Sequence, residues 1–175
     1  LRSHGVTKDP ARLARQDGPW YYEQHELGFN YRITDLQCAL GLSQMSKLSS
    51  FVERRRELVG LYADLMADMA GQVDVLTESP GRRSSYHLLV ARLQGGEQQR
   101  RQVFDFLQAN GIKAQVHYIP VHTQPWYREH LGYSEGDFPV AEKYYSGCIT
   151  LPLFPQMSDG DVERVVSVLK RSLEQ

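Results

Sequence analysis

Apolar positions follow no period up to residue 33 and a helical one after it. In the first stretch Thr7, Asp9, Pro10, Asp17, Gly18 and Pro19 break any repeat, and an aromatic cluster, Trp20-Tyr21-Tyr22, follows them. This predicts loop, the least ordered part of the chain. At Thr34-Asp35-Leu36-Gln37 the spacing of a capping box marks a helix start, with Asp35 where the helix dipole favours an anion. Leu36, Leu40, Leu42, Met45, Leu48 and Val52 then recur mostly at three- and four-residue steps, and Leu58, Tyr62, Leu65 and Met69 continue the stripe. The pattern predicts one long helix over about 34–69, bent near Ser49-Ser50 and ended by Gly71.

Beyond it the period changes repeatedly. Short strands are expected at 73–76, 86–93, 114–118 and 149–151. Helices are expected at 98–109, stopped by Asn110-Gly111, near 140–145, and after Ser158, where Asp161 completes a second cap. A Pro- and aromatic-rich loop fills the stretch after Pro120. Interleaved strands and helices predict an α/β chain with an α+β small domain, a long helix joined to a small sheet covered by helices. The expected boundaries are 1–33, largely loop; 34–70, the long helix; and 71–175, a small α/β domain.

Composition narrows the function classes. The 175 residues are 41% hydrophobic and 23% charged, an ordinary globular balance. With 20 basic against 21 acidic residues the net charge is -1, which removes the broad electrostatic reason to bind nucleic acid or an anionic membrane. No apolar run approaches the ~20 residues that span a bilayer. Two cysteines, Cys38 and Cys148, make no disulfide scaffold and favour a cytoplasmic setting; both are expected to be buried, inert thiols. The six histidines show no metal-ligand spacing, and His117 and His122 stand five apart across Pro120. No Walker loop, Gly-x-Ser-x-Gly or Gly-x-Gly-x-x-Gly is present. The chain opens at Leu1 without an initiator Met, so a part of a longer polypeptide is expected.

Two stretches carry more polar chemistry than packing needs. Gly28-Phe29-Asn30-Tyr31-Arg32 places an amide and a guanidinium fork just ahead of the Thr34 cap. That suits a phosphate or another anion, and it equally suits a tight turn with Arg32 paired to a carboxylate. Gln115-Val116-His117-Tyr118, running on through His122 to Trp126-Tyr127, reads either as the rim of a polar-ligand pocket or as a Pro/aromatic wedge on the core.

Gly28-Phe29-Asn30-Tyr31-Arg32-Ile33-Thr34-Asp35 through Gly41-Leu42 closely resembles the GxNYR(M/L)(T/S)D-x-x-A-A-L-G-L signature of the DegT/StrS-type sugar aminotransferases. Arg2-Ser3-His4-Gly5, Val116-His117-Tyr118 with its Pro120, His122, Gln124, Pro125 and Tyr127, and Leu151-Pro152-Leu153-Phe154-Pro155 are similar to three further family segments, in order. The resemblance implies the C-terminal part of a fold-type-I pyridoxal phosphate (PLP) aminotransferase: the tail of the large domain, the connecting helix and the small domain. It implies a homodimer in which Asn30, and with it Arg32, meets the PLP phosphate of the partner subunit. Gln115, Val116, His117 and Tyr118 would border a nucleotide-sugar substrate. The wording of these segments favours the branch that moves an amino group, from glutamate by family habit, to C4 of a UDP-4-keto-6-deoxy-HexNAc, as in pseudaminic acid synthesis.

One departure limits what the chain does alone. The family's cofactor-bearing lysine, the acid at the pyridine nitrogen and the stacking ring all precede the Arg2-to-Gly5 stretch. Lys8, Lys47, Lys113, Lys143 and Lys170 match none of that context, so no catalytic residue is expected here, no PLP is expected to be bound and the isolated chain is expected to be inactive. Two other readings stay open: a non-catalytic nucleotide-sugar or protein binding module, and part of a related PLP-dependent sugar dehydratase.

Overall fold

The computed structural model describes residues 1–76 and 78–174. They form two compact units, Leu1–Leu48 and Ser49–Gln175. The first is less of a loop than its composition suggests. Strands β1 (Val6–Thr7) and β2 (Glu23–Gln24) pair antiparallel, with Val6 opposite Gln24 and Thr7 opposite Glu23. Backbone hydrogen bonds from His4 N to Phe29 O (2.9 Å), Phe29 N to Leu1 O (2.9 Å) and Tyr31 N to Arg2 O (2.8 Å) join the two ends of this segment. Where they cross, a Cβ on Gly28 would strike the backbone of Leu1 and Gly5, and one on Gly5 would strike Glu26 O. Gly5 also has φ +69°, so only glycine fits both the space and the conformation.

Helix α1 (Asp35–Met45) starts as predicted. Thr34 Oγ1 accepts from Gln37 N (3.3 Å) and Gln37 Oε1 accepts from Thr34 N (2.9 Å). The single long helix is not formed. Ser46 N donates to the Leu42 and Gln44 carbonyls, its hydroxyl bonds Ser43 O (2.8 Å), and Lys47 N reaches Gln44 O (3.0 Å); these tightened bonds close α1 before α2 (Leu48–Leu65) begins. The break therefore lies at Ser46-Lys47, ahead of Ser49-Ser50. Nor does α1 bury its apolar positions: Leu36, Leu40, Leu42 and Met45 are all more than 60% exposed. Cys38, expected to be buried, is exposed with them.

The second unit holds the core. A turn of 3-10 helix at Ala67–Met69 ends α2, and β3 (Val73–Val75), β4 (Leu89–Leu93) and β5 (Cys148–Leu151) form an antiparallel sheet in the order β3-β4-β5. Consecutive buried residues in β4 and all four of β5 make these the covered strands. Helix α3 (Gly96–Ala109) contributes Val103 and Leu107. The chain then forms α4 (Pro125–Leu131) and α5 (Pro139–Gly147), and α6 (Asp159–Leu173) adds Val162, Val165, Val166 and Leu169. Tyr62 of α2 is fully buried, with its hydroxyl satisfied by Pro152 O at 2.9 Å, and burial raises its pKa. Ser158 and Asp161 form the expected reciprocal cap, and Asp161 is held below its ordinary pKa first by the Ser158 hydroxyl.

Two local expectations change. Residues 114–118 do not make a strand: among the described residues their backbone pairing with β5 is a single reciprocal pair, Gln115 N to Thr150 O (3.0 Å) and Thr150 N to Gln115 O (2.7 Å). His117 then turns its ring onto the Thr150 hydroxyl, and Pro120 has no N–H to extend a ladder. Helix α4 arises inside the expected loop because Pro125 sits at its first turn and Gly132, at φ +73°, supplies a left-handed stop.

Leu107 is fully buried among α3, α6 and the sheet, so Leu107→Ala should lower the unfolding free energy of the second unit by about 3 kcal/mol in urea denaturation. Tyr62→Phe, which leaves the Pro152 carbonyl unpaired, should cost about 1 kcal/mol by the same measurement.

Candidate functional site

The candidate residues divide between the two units. In the first, Asn30 pairs through its backbone with Ser3 as an isolated bridge, two residues ahead of Arg32. Both side chains are exposed, and among the described residues neither has a hydrogen-bond or ion-pair partner. Arg32 is not tied up by a carboxylate, which removes the plain-turn alternative for that residue. The N-terminus of α1 is already closed by its own capping box and carries Asp35 in its first turn. The groups left with free donors here are the Asn30 amide and the Arg32 fork, the helix N-terminus being closed by its own cap.

The opposite face of the β1–β2 ribbon is acidic but closed. Glu23 accepts from Ala14 N (2.9 and 3.1 Å), the Tyr21 hydroxyl (2.7 Å) and His25 Nε2 (2.8 Å). The Ala14 N–H, then Tyr21 and His25, hold its carboxyl down at about 2.

In the second unit Thr150 gathers the predicted segment. Gln115 pairs with its backbone, and His117 Nδ1 lies 2.9 Å from its buried hydroxyl. Val116 points elsewhere, lining a cavity with Glu97, Arg100, Phe104, Asp105 and Tyr145. Both cations lining that cavity are engaged: Arg100 donates to Tyr145 O, stacks 4.4 Å from the Tyr145 ring and meets Glu97 at 3.4 Å, and Arg101 donates to Asp105 (2.7 Å). Tyr118 is 70% exposed, its hydroxyl without a partner among the described residues. Gln115 and His117 thus both meet Thr150, Tyr118 follows them exposed, and Val116 lines the separate cavity.

The far end of this segment is fixed by a pair the sequence did not reveal. His122 is buried, its Nε2 2.7 Å from Glu142 Oε1, and its ring lies 4.7 Å from that of Phe138. Glu142 also accepts from Gly136 N (2.9 Å) and Phe138 N (3.3 Å). One carboxylate on α5 so ties down the turn 121–123 and the loop 134–138. His122 first, then these backbone N–H groups, lower the Glu142 pKa against the opposing effect of burial. Their separation of 20 residues leaves no local signature. Cys148, beneath His117, is a buried thiol whose pKa burial raises, as expected of an inert cysteine. Among the described residues no group of three or more His, Cys, Asp or Glu could hold a metal ion, and no helix is long and apolar enough to cross a membrane.

Comparison with known proteins places this geometry. Residues 1–170 match the DegT/DnrJ/EryC1/StrS aminotransferase family. The chain belongs to that family. It is 34% identical over 173 residues to the spore coat polysaccharide biosynthesis protein SpsC of Bacillus subtilis, covering 97% of this chain and 44% of SpsC. It is 31% identical over 175 residues to the UDP-4-amino-4,6-dideoxy-N-acetyl-beta-L-altrosamine transaminase of Campylobacter jejuni, covering 99% and 44%. Among solved structures, the putative sugar aminotransferase Spr1654 of Streptococcus pneumoniae in its PMP form superposes with a TM-score of 0.88 at 30% identity, covering 99% of this chain and 43% of that one. Helicobacter pylori PseC, an aminotransferase of pseudaminic acid biosynthesis, gives 0.85 at 25% identity. The chain spans less than half the length of these family members, and the fold class expected from the sequence is the one they share.

Glu142 has a lowered folded pKa, so the order it confers is complete above its ordinary value of 4.5 and is lost as pH falls through the lowered one. Hydrogen-exchange protection at Gly136 and Phe138 should fall in that window. In Glu142→Gln the acid-dependent part of the loss should be absent.

Proposed function

We propose that this chain is the C-terminal part of a PLP-dependent nucleotide-sugar aminotransferase, the complete protein transferring an amino group from glutamate to C4 of a UDP-4-keto-6-deoxy-HexNAc. The carrying observation is the pair Asn30 and Arg32: both have free donors and are held by the Gly5–Gly28 crossing, within the family's own motif. A neutral amide and a guanidinium fork are the donor types a phosphate monoester takes, so these residues fit the cofactor's phosphate. PLP, when bound, supplies the electron sink for amino transfer. Asn30 and Arg32 orient it from one subunit toward the site of its partner in a homodimer. Gln115, His117 and Tyr118 border the sugar with an amide, an imidazole and a phenol, while Val116 packs behind them.

The unburied apolar residues of α1 support the homodimer. Leu36, Leu40, Leu42 and Met45 are exposed, as are Phe29, Tyr31 and Ile33 ahead of the helix, apolar area suited to a second copy of the protein. The domain plan that goes with this reading is a large-domain tail at 1–33, a connector at 34–70 and a small domain at 71–175. The branch choice rests on likeness to the Campylobacter and Helicobacter proteins.

The lysine that carries the cofactor belongs to the part of the protein outside this chain. Lys170 pairs with Asp68 at 2.8 Å, and Lys8, Lys47, Lys113 and Lys143 are exposed. None is desolvated in the way a cofactor-bearing amine is. The complete protein should aminate a UDP-4-keto-6-deoxy-HexNAc with glutamate and PLP. Asn30→Ala should weaken its retention of PLP by about 10-fold, roughly one charge-assisted hydrogen bond, read by equilibrium dialysis. The 175-residue chain alone should show no borohydride-reducible PLP absorbance; such a band mapped to one of its five lysines would refute the assignment.

A further inference from the structure

Strand β5 carries one residue that its packing does not ask for. Cys148, Ile149 and Leu151 are apolar and buried, and Thr150 among them is only 6% exposed. Gln115 takes both the N–H and the carbonyl of Thr150, which leaves the side chain to reach His117 Nδ1 at 2.9 Å. A β-branched residue in a packed strand holds its hydroxyl in one direction. Cys148, two residues earlier and so on the same face of β5, shares its thiol between the Tyr145 and His117 carbonyl oxygens, at 3.6 and 3.9 Å. One face of β5 thus meets both the ring and the backbone of His117.

The contact also fixes where the proton lies. A buried hydroxyl is stable when its hydrogen has an acceptor, and among the described residues His117 Nδ1 is the one hydrogen-bond partner of the Thr150 hydroxyl. The hydroxyl therefore donates and Nδ1 accepts. A neutral imidazole that accepts at Nδ1 carries its hydrogen at Nε2. That second nitrogen has no partner among the described residues and is open to solvent. The Tyr118 ring, 4.6 Å away at 70°, packs edge-to-face on the imidazole. His117 so ends in a free N–H donor on a ring held from two sides.

We propose that Thr150 is a positioning residue that fixes His117 as a hydrogen-bond donor, presenting its Nε2–H to an acceptor oxygen of the nucleotide sugar. Thr150 touches no ligand; it acts through the ring. Without this partner the imidazole turns about its side-chain bonds and exchanges its hydrogen between Nδ1 and Nε2, so it offers a donor only part of the time. With it, the ring is ordered on folding and binding need not order it again. The assignment rests on the nucleotide-sugar reading above and adds to it Thr150 and the protonation of His117.

Nitrogen NMR of the His117 ring in the 175-residue chain, at a pH where the ring is neutral, tests the proton placement without any variant. The hydrogen should sit on Nε2; a hydrogen on Nδ1 would overturn the proposal. Thr150→Val should yield a mixture of the two tautomers and Thr150→Ser should keep the single one, whereas a spectrum indifferent to Thr150→Val would also overturn it. In the complete protein Thr150→Val should raise KM for the nucleotide sugar by about 5-fold, the range of one neutral hydrogen bond. Thr150→Ser should restore it. The turnover number, KM for glutamate and PLP retention should hold, where a general loss of packing would move all three. In a His117→Ala background Thr150→Val should add nothing, because the two act as one unit; a further rise in KM there would show that Thr150 does not act through His117. If the complete protein aminates nucleotide sugars with KM unmoved by Thr150→Val, only the positioning role fails. If it aminates none while the His117 spectrum follows Thr150 as stated, the proton placement stands and the broader reading fails.

Discussion

A close backbone crossing governs the first unit. Gly5 and Gly28 let two strands of chain approach until no side chain fits between them, and the hydrogen bonds that follow fix Ser3 against Asn30 and Tyr31 against Arg2. With so few buried side chains, this unit depends on backbone pairing for its shape, so the crossing sets where every neighbouring side chain stands. The two family motifs that meet there, Arg2-to-Gly5 and Gly28-to-Arg32, are far apart in the chain and physically one feature. Asn30 and Arg32 then leave the crossing with free donors, and Lys8 of the ribbon lines the same cleft as Arg32.

The second unit solves a different problem, holding a polar edge on an apolar core. Thr150 lies within a fully buried strand yet keeps its hydroxyl occupied by His117 and its backbone by Gln115. At the other end Glu142 collects one imidazole and two backbone N–H groups on a single carboxylate. Buried polar groups are stable only when satisfied, and here the same contacts that satisfy them fix both ends of the segment carrying Tyr118. Packing behind that edge runs through Val116 and the Arg100–Tyr145 stack.

Apolar periodicity meant different things in neighbouring helices. In α2 the stripe is core: Leu58 and Tyr62 are fully buried. In α1 the same spacing yields exposed leucines and an exposed Cys38. A helical repeat reports that a face is suited to burial, and what buries it is decided by the rest of the assembly. The break at Ser46-Lys47 was equally hidden, because serine and lysine are tolerated inside helices and it is the Ser46 and Lys47 contacts to Leu42, Ser43 and Gln44 that end α1 there.

What the sequence determined by itself is local or motif-borne. The caps at Thr34 and Ser158, the stop at Asn110-Gly111, the buried strand ending at Leu93 and the α/β order all depend on residues within a few positions of one another, and the family signature rests on contiguous segments. Tertiary structure decided the rest. It reduced residues 114–118 to one pair on β5, joined His122 to Glu142 across 20 positions, and turned a stretch that reads as loop into a ribbon with a closed acidic face and an open basic one. Those outcomes depend on which distant groups arrive to share a hydrogen bond or a charge, and pairing over such separations leaves no period in the chain to read.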